Sequence, residues 1–140
     1  MDGASYLSHA VMYFEAVRRH AERALARIDD ARFSRRIDPD SNSLALIVKH
    51  LAGNLASRWT GFLTTDGEKP TRRRDAEFEE EAADARAALM QRWDEGWAAL
   101  LTTLRSLTPA DLDCNVFIRG EPLSVVHAIE RQKELKLPEQ

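Results

Sequence analysis

Cysteine is almost absent from this 140-residue chain, which has Cys114 alone. No intrachain disulfide can form, nothing points to an oxidising compartment, and a structural thiol is the expectation. Surplus charge is missing too, since 20 Lys and Arg stand against 23 Asp and Glu for a net charge of -3. Such a balance lacks the basic field that draws a protein onto nucleic acid or an anionic membrane, so neither is expected as a partner. No apolar run approaches the ~20 residues needed to cross a bilayer. Met1-Asp2-Gly3-Ala4-Ser5 carries an acid and no basic segment before an apolar stretch, so the expected location is the cytoplasm. No repeat, low-complexity tract or Gly/Ser linker divides the chain, so residues 1–140 are read as one domain. Signatures of catalysis are lacking as well. No Ser/His/Asp arrangement, glycine-rich phosphate loop or paired cysteine motif occurs, so catalytic residues stay unassigned and enzymatic activity is left open.

What is present is helical periodicity. Leu7, Val11, Phe14, Ala21, Leu25 and Ile28 recur at three- and four-residue steps and predict a first helix near residues 4–30. Turn formers over Asp38-Pro39-Asp40-Ser41-Asn42-Ser43 restart the chain into a second helix near 43–64. That segment is apolar or small around most of its circumference, with Lys49 and Arg58 its only formal charges. Asp75 as a cap, with Glu77, Glu79, Glu80 and Glu81 at the positive end of the dipole, predicts a third helix near 75–106. Its stripe is Phe78, Ala82, Ala85, Leu89, Trp93, Trp97, Leu100 and Leu104. Thr108-Pro109-Ala110-Asp111 reads as a capped single turn. Val116 and Ile118 alternate as a short extended piece, and Glu121-Pro122 opens a fourth helix near 121–136, too short to cover the other three.

Two segments carry a family resemblance. Asn42-Ser43-Leu44-Ala45-Leu46-Ile47-Val48-Lys49-His50-Leu51-Ala52-Gly53-Asn54-Leu55, continuing through Trp59 to Lys69-Pro70, resembles the second helix and following loop of an uncharacterised branch of the DinB-like family. Ile118-Arg119-Gly120-Glu121-Pro122-Leu123 through Arg131-Gln132 is similar to the entry of that branch's fourth helix. The resemblance implies an all-α, up-down-down-up four-helix bundle, often dimeric, with zinc or nickel held by three histidines. It also implies, for members with known activity, transfer, hydrolysis or isomerisation involving small thiols.

Residue by residue, His50 falls on the family's helix-two histidine. The other two ligands would form a His-x-x-x-His pair just after Gln132, where this chain reads Lys133-Glu134-Leu135-Lys136-Leu137-Pro138. The implied metal site is therefore incomplete, and tight zinc or nickel binding is not expected, because such sites keep at least three protein donors. From the residues alone His50 lies about 120° off the apolar stripe, beside Asn54 and Ser57, as a boundary histidine. His127, at the edge of the fourth helix, is the one candidate for a compensating imidazole, with Glu130 and Glu134 as acidic substitutes. His9 and His20 share a face that points away from the stripe and read as solvent-exposed. Arg72-Arg73-Arg74 invites an anion, yet a solvated loop balancing the following acids is the favoured reading. Trp59, Trp93 and Trp97 read as packing residues.

Two functional readings follow. The first is a bundle with a degenerate metal site that acts by binding or self-association, as a homodimer and with a small-molecule ligand. The second is a divalent-metal-dependent transferase or hydrolase acting on small thiol-linked molecules.

Overall fold

The computed structural model describes residues 1–81 and 84–134. These residues form five α-helices, two 3-10 turns and one two-stranded antiparallel sheet, so the mostly helical expectation holds in that coarse form. In chain order the elements are α1 (Gly3–Ala26), α2 (Asp30–Ser34), α3 (Leu44–Trp59), α4 (Arg86–Ser106), β1 (Asn115–Ile118), β2 (Glu121–Ser124) and α5 (Val125–Lys133).

Local chemistry sets most of the starts. Asp2 accepts the Ser5 N–H at 2.8 Å, Asp29 accepts the Arg32 N–H at 2.8 Å and Ser43 Oγ accepts the Leu46 N–H at 3.2 Å. Each supplies an acceptor to an N–H that the helix itself leaves unpaired. The capped turn read at Thr108 is there over Pro109–Asp113, with Asp111 accepting the Thr108 N–H at 2.8 Å and its hydroxyl at 3.0 Å.

The first expected helix stops at Ala26, with a separate short α2 following, and the second stops at Trp59 rather than near 64; the other two are corrected further. The third does not begin at Asp75: residues Asp75–Phe78 make a single 3-10 turn, and the α-helix starts only at Arg86. The acids placed at the helix dipole are drawn instead to basic groups, with Lys49 Nζ reaching Asp84 at 2.8 Å and Glu81 at 3.6 Å. Ala82, part of the expected stripe, lies outside the described residues. The fourth helix does not open at Glu121-Pro122, because those residues belong to β2, which pairs with β1 from Asn115↔Ser124 to Ile118↔Glu121. Helix α5 begins after Ser124, whose hydroxyl accepts the His127 N–H at 3.0 Å. The expected residues 135–136 of that helix lie outside the described part.

The core gathers Leu7, Ala10 and Phe14 of α1, Val48, Leu55 and Trp59 of α3, and Leu89, Trp93, Trp97, Leu100 and Leu104 of α4. Val116, Ile118 and Leu123 of the hairpin and Val125, Ala128 and Ile129 of α5 complete it. Burying a large apolar side chain contributes about 1.5–3 kcal/mol, so these stripes decide which faces turn inward. Helix α4 lies against both α1 and α3. Gly96 permits the second contact, since a Cβ there would stand 3.0 Å from the Ala52 carbonyl and 3.1 Å from Leu55 Cβ.

Candidate functional site

The face of α3 that carries His50 is covered by the chain that follows the helix. Lys69 anchors that return, its N–H donating to Ser57 Oγ at 3.0 Å and its Nζ to the Ser57 carbonyl at 2.8 Å. Covered in this way, His50 is only 5% exposed, which corrects its reading as a boundary histidine. Its Nδ1 lies 3.1 Å from Glu77 Oε1, and its ring stacks on Phe78 with centroids 4.7 Å apart. A carboxylate held by a guanidinium only accepts hydrogen bonds, so Nδ1 carries the proton of this pair.

Glu77 is itself fully engaged. Arg72 donates Nε to its Oε2 and Nη2 to its Oε1, both at 2.8 Å, and donates Nη1 to Glu68 at 3.2 Å. The Arg72 side chain is 4% exposed, so it is no solvated loop residue; Arg73 and Arg74 are exposed as expected. Gly53 makes room for the carboxylate, because a Cβ there would sit 2.1 Å from Glu77 Oε2. A chain Glu68–Arg72–Glu77–His50 is thus tucked under the loop.

Burial alone would raise the Glu77 carboxyl, yet hydrogen bonds from Arg72 and His50 hold it below the ordinary value of 4.5. Glu68 is lowered likewise, against its own burial, by Arg119, Arg72 and Arg58. A group whose folded-state pKa is depressed contributes stability in full above its unfolded value and loses it as pH falls through the folded one. Thermal melts should therefore show stability falling as the pH drops below the ordinary carboxyl value of 4.5. Glu77→Gln should flatten that slope without removing it, since Glu68 titrates in the same direction; an unchanged slope would contradict the assignment.

On the other side of His50 a cavity of about 180 Å³ opens between α3, the hairpin and α5. Trp59, Phe62, Val116 and Ile118 supply its apolar wall, and Trp59 and Phe62 are stacked at 4.3 Å. His50, Asn54 and Gln132 line it, as do Arg58, Arg74, Arg119 and Arg131. Gln132 ties the helices together, accepting from Trp59 Nε1 at 2.9 Å and donating to Asn54 Oδ1 at 3.2 Å. Burial, and after it the neighbouring Arg72, Arg131 and Arg119, push the Arg58 guanidinium down from its ordinary value against the pull of Glu68. Glu68 serves as shared counter-charge, 3.9 Å from Arg58, 3.9 Å from Arg74 and 3.0 Å from Arg119.

The hairpin turn that presents Arg119 puts an arginine where asparagine, aspartate or glycine is usual. Arg119 and Gly120 both have positive φ, 53° and 78°, as a two-residue turn between twisted strands requires. Asp66 holds that turn, accepting the Arg119 N–H and the Gly120 N–H at 2.8 Å each. A non-glycine residue kept in left-handed backbone is a conformation that the surroundings must enforce.

The other sequence candidates go elsewhere. His127 is exposed and does not line the cavity. Glu130 accepts the Tyr6 hydroxyl and pairs with Lys133 at 3.0 Å, and Glu134 is exposed. His9 and His20 are exposed on α1, Cys114 is an exposed free thiol, and Trp93 and Trp97 pack in the core. Among the described residues no three of His, Cys, Asp and Glu converge as a metal set. The donors at His50 do not fit a three-ligand zinc or nickel centre, since Nδ1 and both Glu77 oxygens are committed to one another and to Arg72.

Sequence reasoning missed Glu77, Gly53, Asp66 and Arg119. For Arg119-Gly120 the signal was available, as a turn dipeptide directly after the Val116/Ile118 alternation.

Fold and site together describe a mostly helical protein with a small arginine-rimmed cavity. Residues 2–136 match the model of a protein family described as "Protein of unknown function (DUF1572)", and the chain belongs to that family. No curated protein and no solved structure matches it.

Proposed function

We propose that this chain is a binding protein for small organic anions, that its ligand occupies the cavity beside His50, and that it works without a metal. The observation carrying this is that four arginines line one cavity with a stacked aromatic pair, and that three of them share the single acid Glu68. Arginine forks suit carboxylate and phosphate, and the wall suits an apolar body. At about 180 Å³ the space compares with the ~150 Å³ apolar cavities that admit benzene, so the expected ligand is one ring bearing an acid group. On this reading the DinB-like resemblance extends to the placement of His50 on the second long helix and not to the metal chemistry.

Benzoate titrated calorimetrically into chelator-treated protein tests the proposal, with quenching of Trp59 emission as a second readout. Arg119→Gly separates charge from fold, because glycine suits the 53° φ better than arginine. Relief of the left-handed arginine offsets loss of the exposed Arg119–Glu68 pair, so that variant should melt close to the wild-type temperature and bind benzoate about 10- to 100-fold more weakly, as loss of a charge-assisted hydrogen bond predicts. Absence of saturable binding, or equal affinity in the variant, would sink the proposal.

A further inference from the structure

His50 has one ring nitrogen left over. It is 5% exposed and lines the cavity; Nδ1 is taken by Glu77, and Nε2 has no hydrogen-bond partner among the described residues. In the tautomer that Glu77 selects, with the proton on Nδ1, Nε2 is an acceptor. The cavity that His50 lines is lined by four arginines as well, side chains that can only donate. Phe78 against the ring and Arg72 behind Glu77 leave the imidazole little freedom to turn away. A buried acceptor left unpaired by a bound molecule is costly, and a site built around such a group discriminates by that cost.

We propose that His50 Nε2 accepts a hydrogen bond from the ligand, so that the cavity selects monocyclic acids carrying a hydroxyl in addition to the acid group. This rests on the anion-binding reading of the same cavity. The acid group meets the arginines, the ring lies on Trp59 and Phe62, and the hydroxyl meets the imidazole. Glu77 and Arg72 are positioning residues in this scheme, holding the acceptor tautomer without touching the ligand.

The test compares benzoate with ortho-, meta- and para-hydroxybenzoate on the intact wild-type chain. At least one hydroxybenzoate should bind about tenfold more tightly than benzoate, the discrimination expected for one buried hydrogen bond. Long-range nitrogen–proton correlation spectra should show His50 protonated on Nδ1, with its Nε2 resonance moving on addition of the hydroxybenzoate and not of benzoate. His50→Phe, which keeps an aromatic ring against Phe78, should equalise the affinities of the four acids. Should that variant fail to fold, the wild-type affinity ratio and the Nε2 resonance decide alone. Equal binding of benzoate and all three isomers, or a proton on Nε2 in the free protein, would overturn the inference and leave the anion site standing. No binding by any of the four acids would overturn both.

Discussion

Glu77→Ala should lower the unfolding free energy by about 3–5 kcal/mol, a large share of the 5–15 kcal/mol typical of a whole domain. The carboxylate sits between the 4%-exposed Arg72 side chain and the 5%-exposed His50, and its removal leaves a buried guanidinium with Glu68 as its one remaining acid. The intact pair contributes little against its desolvation cost, whereas the broken pair strands a charge that water cannot reach. Urea melts of wild type and variant check this directly. A loss under about 1 kcal/mol would show that water already reaches Arg72 and that the network is a surface feature. Replacing Arg72 and Glu77 together by leucines should recover much of the loss, since an apolar pair of similar volume carries no stranded charge.

Gly53→Ala is the second large effect, and its sign depends on Glu77. In the middle of an exposed helix this change would stabilise by about 1 kcal/mol. Here the added Cβ would stand 2.1 Å from Glu77 Oε2 and 2.7 Å from Cδ, so the side chain must move. A glutamate side chain is flexible, and the steric cost alone is small. Displacing its carboxylate, however, breaks the bonds to Arg72 and His50, and a net destabilisation of about 2–3 kcal/mol is expected. The double variant distinguishes this from ordinary crowding. In the Glu77→Ala background Gly53→Ala should become neutral or stabilising, giving a coupling of about 2–3 kcal/mol in the cycle. Strict additivity would mean that the glycine serves something other than the carboxylate.

Both effects lie in the part of the molecule that periodicity could not read. The stripes Leu7 to Leu25 and Leu89 to Leu104 were legible because each is a local pattern with a period of 3.6 residues, and both are helices, with Leu7, Phe14 and Leu25 buried in the first and Leu89, Trp93, Trp97, Leu100 and Leu104 in the second. The acids after Asp75 obey a helix-start rule equally well, and nothing local says that Glu77 turns inward to Arg72 or that Lys49 captures Asp84. Ion pairs across 5 to 35 residues override dipole preference, and that contest is settled only once the loop is folded. Pro122 misled in the same way. Proline opens helices, but it is equally allowed on an edge strand, where its missing N–H costs nothing. With only two strands both are edges, and Pro122 sits opposite Phe117. As for the site, the resemblance singled out His50, yet its helical angle suggested partial exposure. Its burial comes from residues 69–78 folding back over α3, a tertiary fact with no periodic signature. Phe78, counted in a helix stripe, packs on His50 instead.

On the proposed reading, His50 serves a hydrogen-bonded ion-pair network beside an anion cavity and not a metal centre. Metal content of protein purified without a histidine tag and dialysed against a weak chelator tests it most directly, in wild type and in His50→Ala. One histidine with a guanidinium-bound glutamate falls short of the three protein donors that zinc sites keep. Zinc and nickel are expected near zero in both proteins, with benzoate binding to wild type unaffected by the chelator. Near-stoichiometric zinc or nickel in wild type that vanishes in His50→Ala would contradict it.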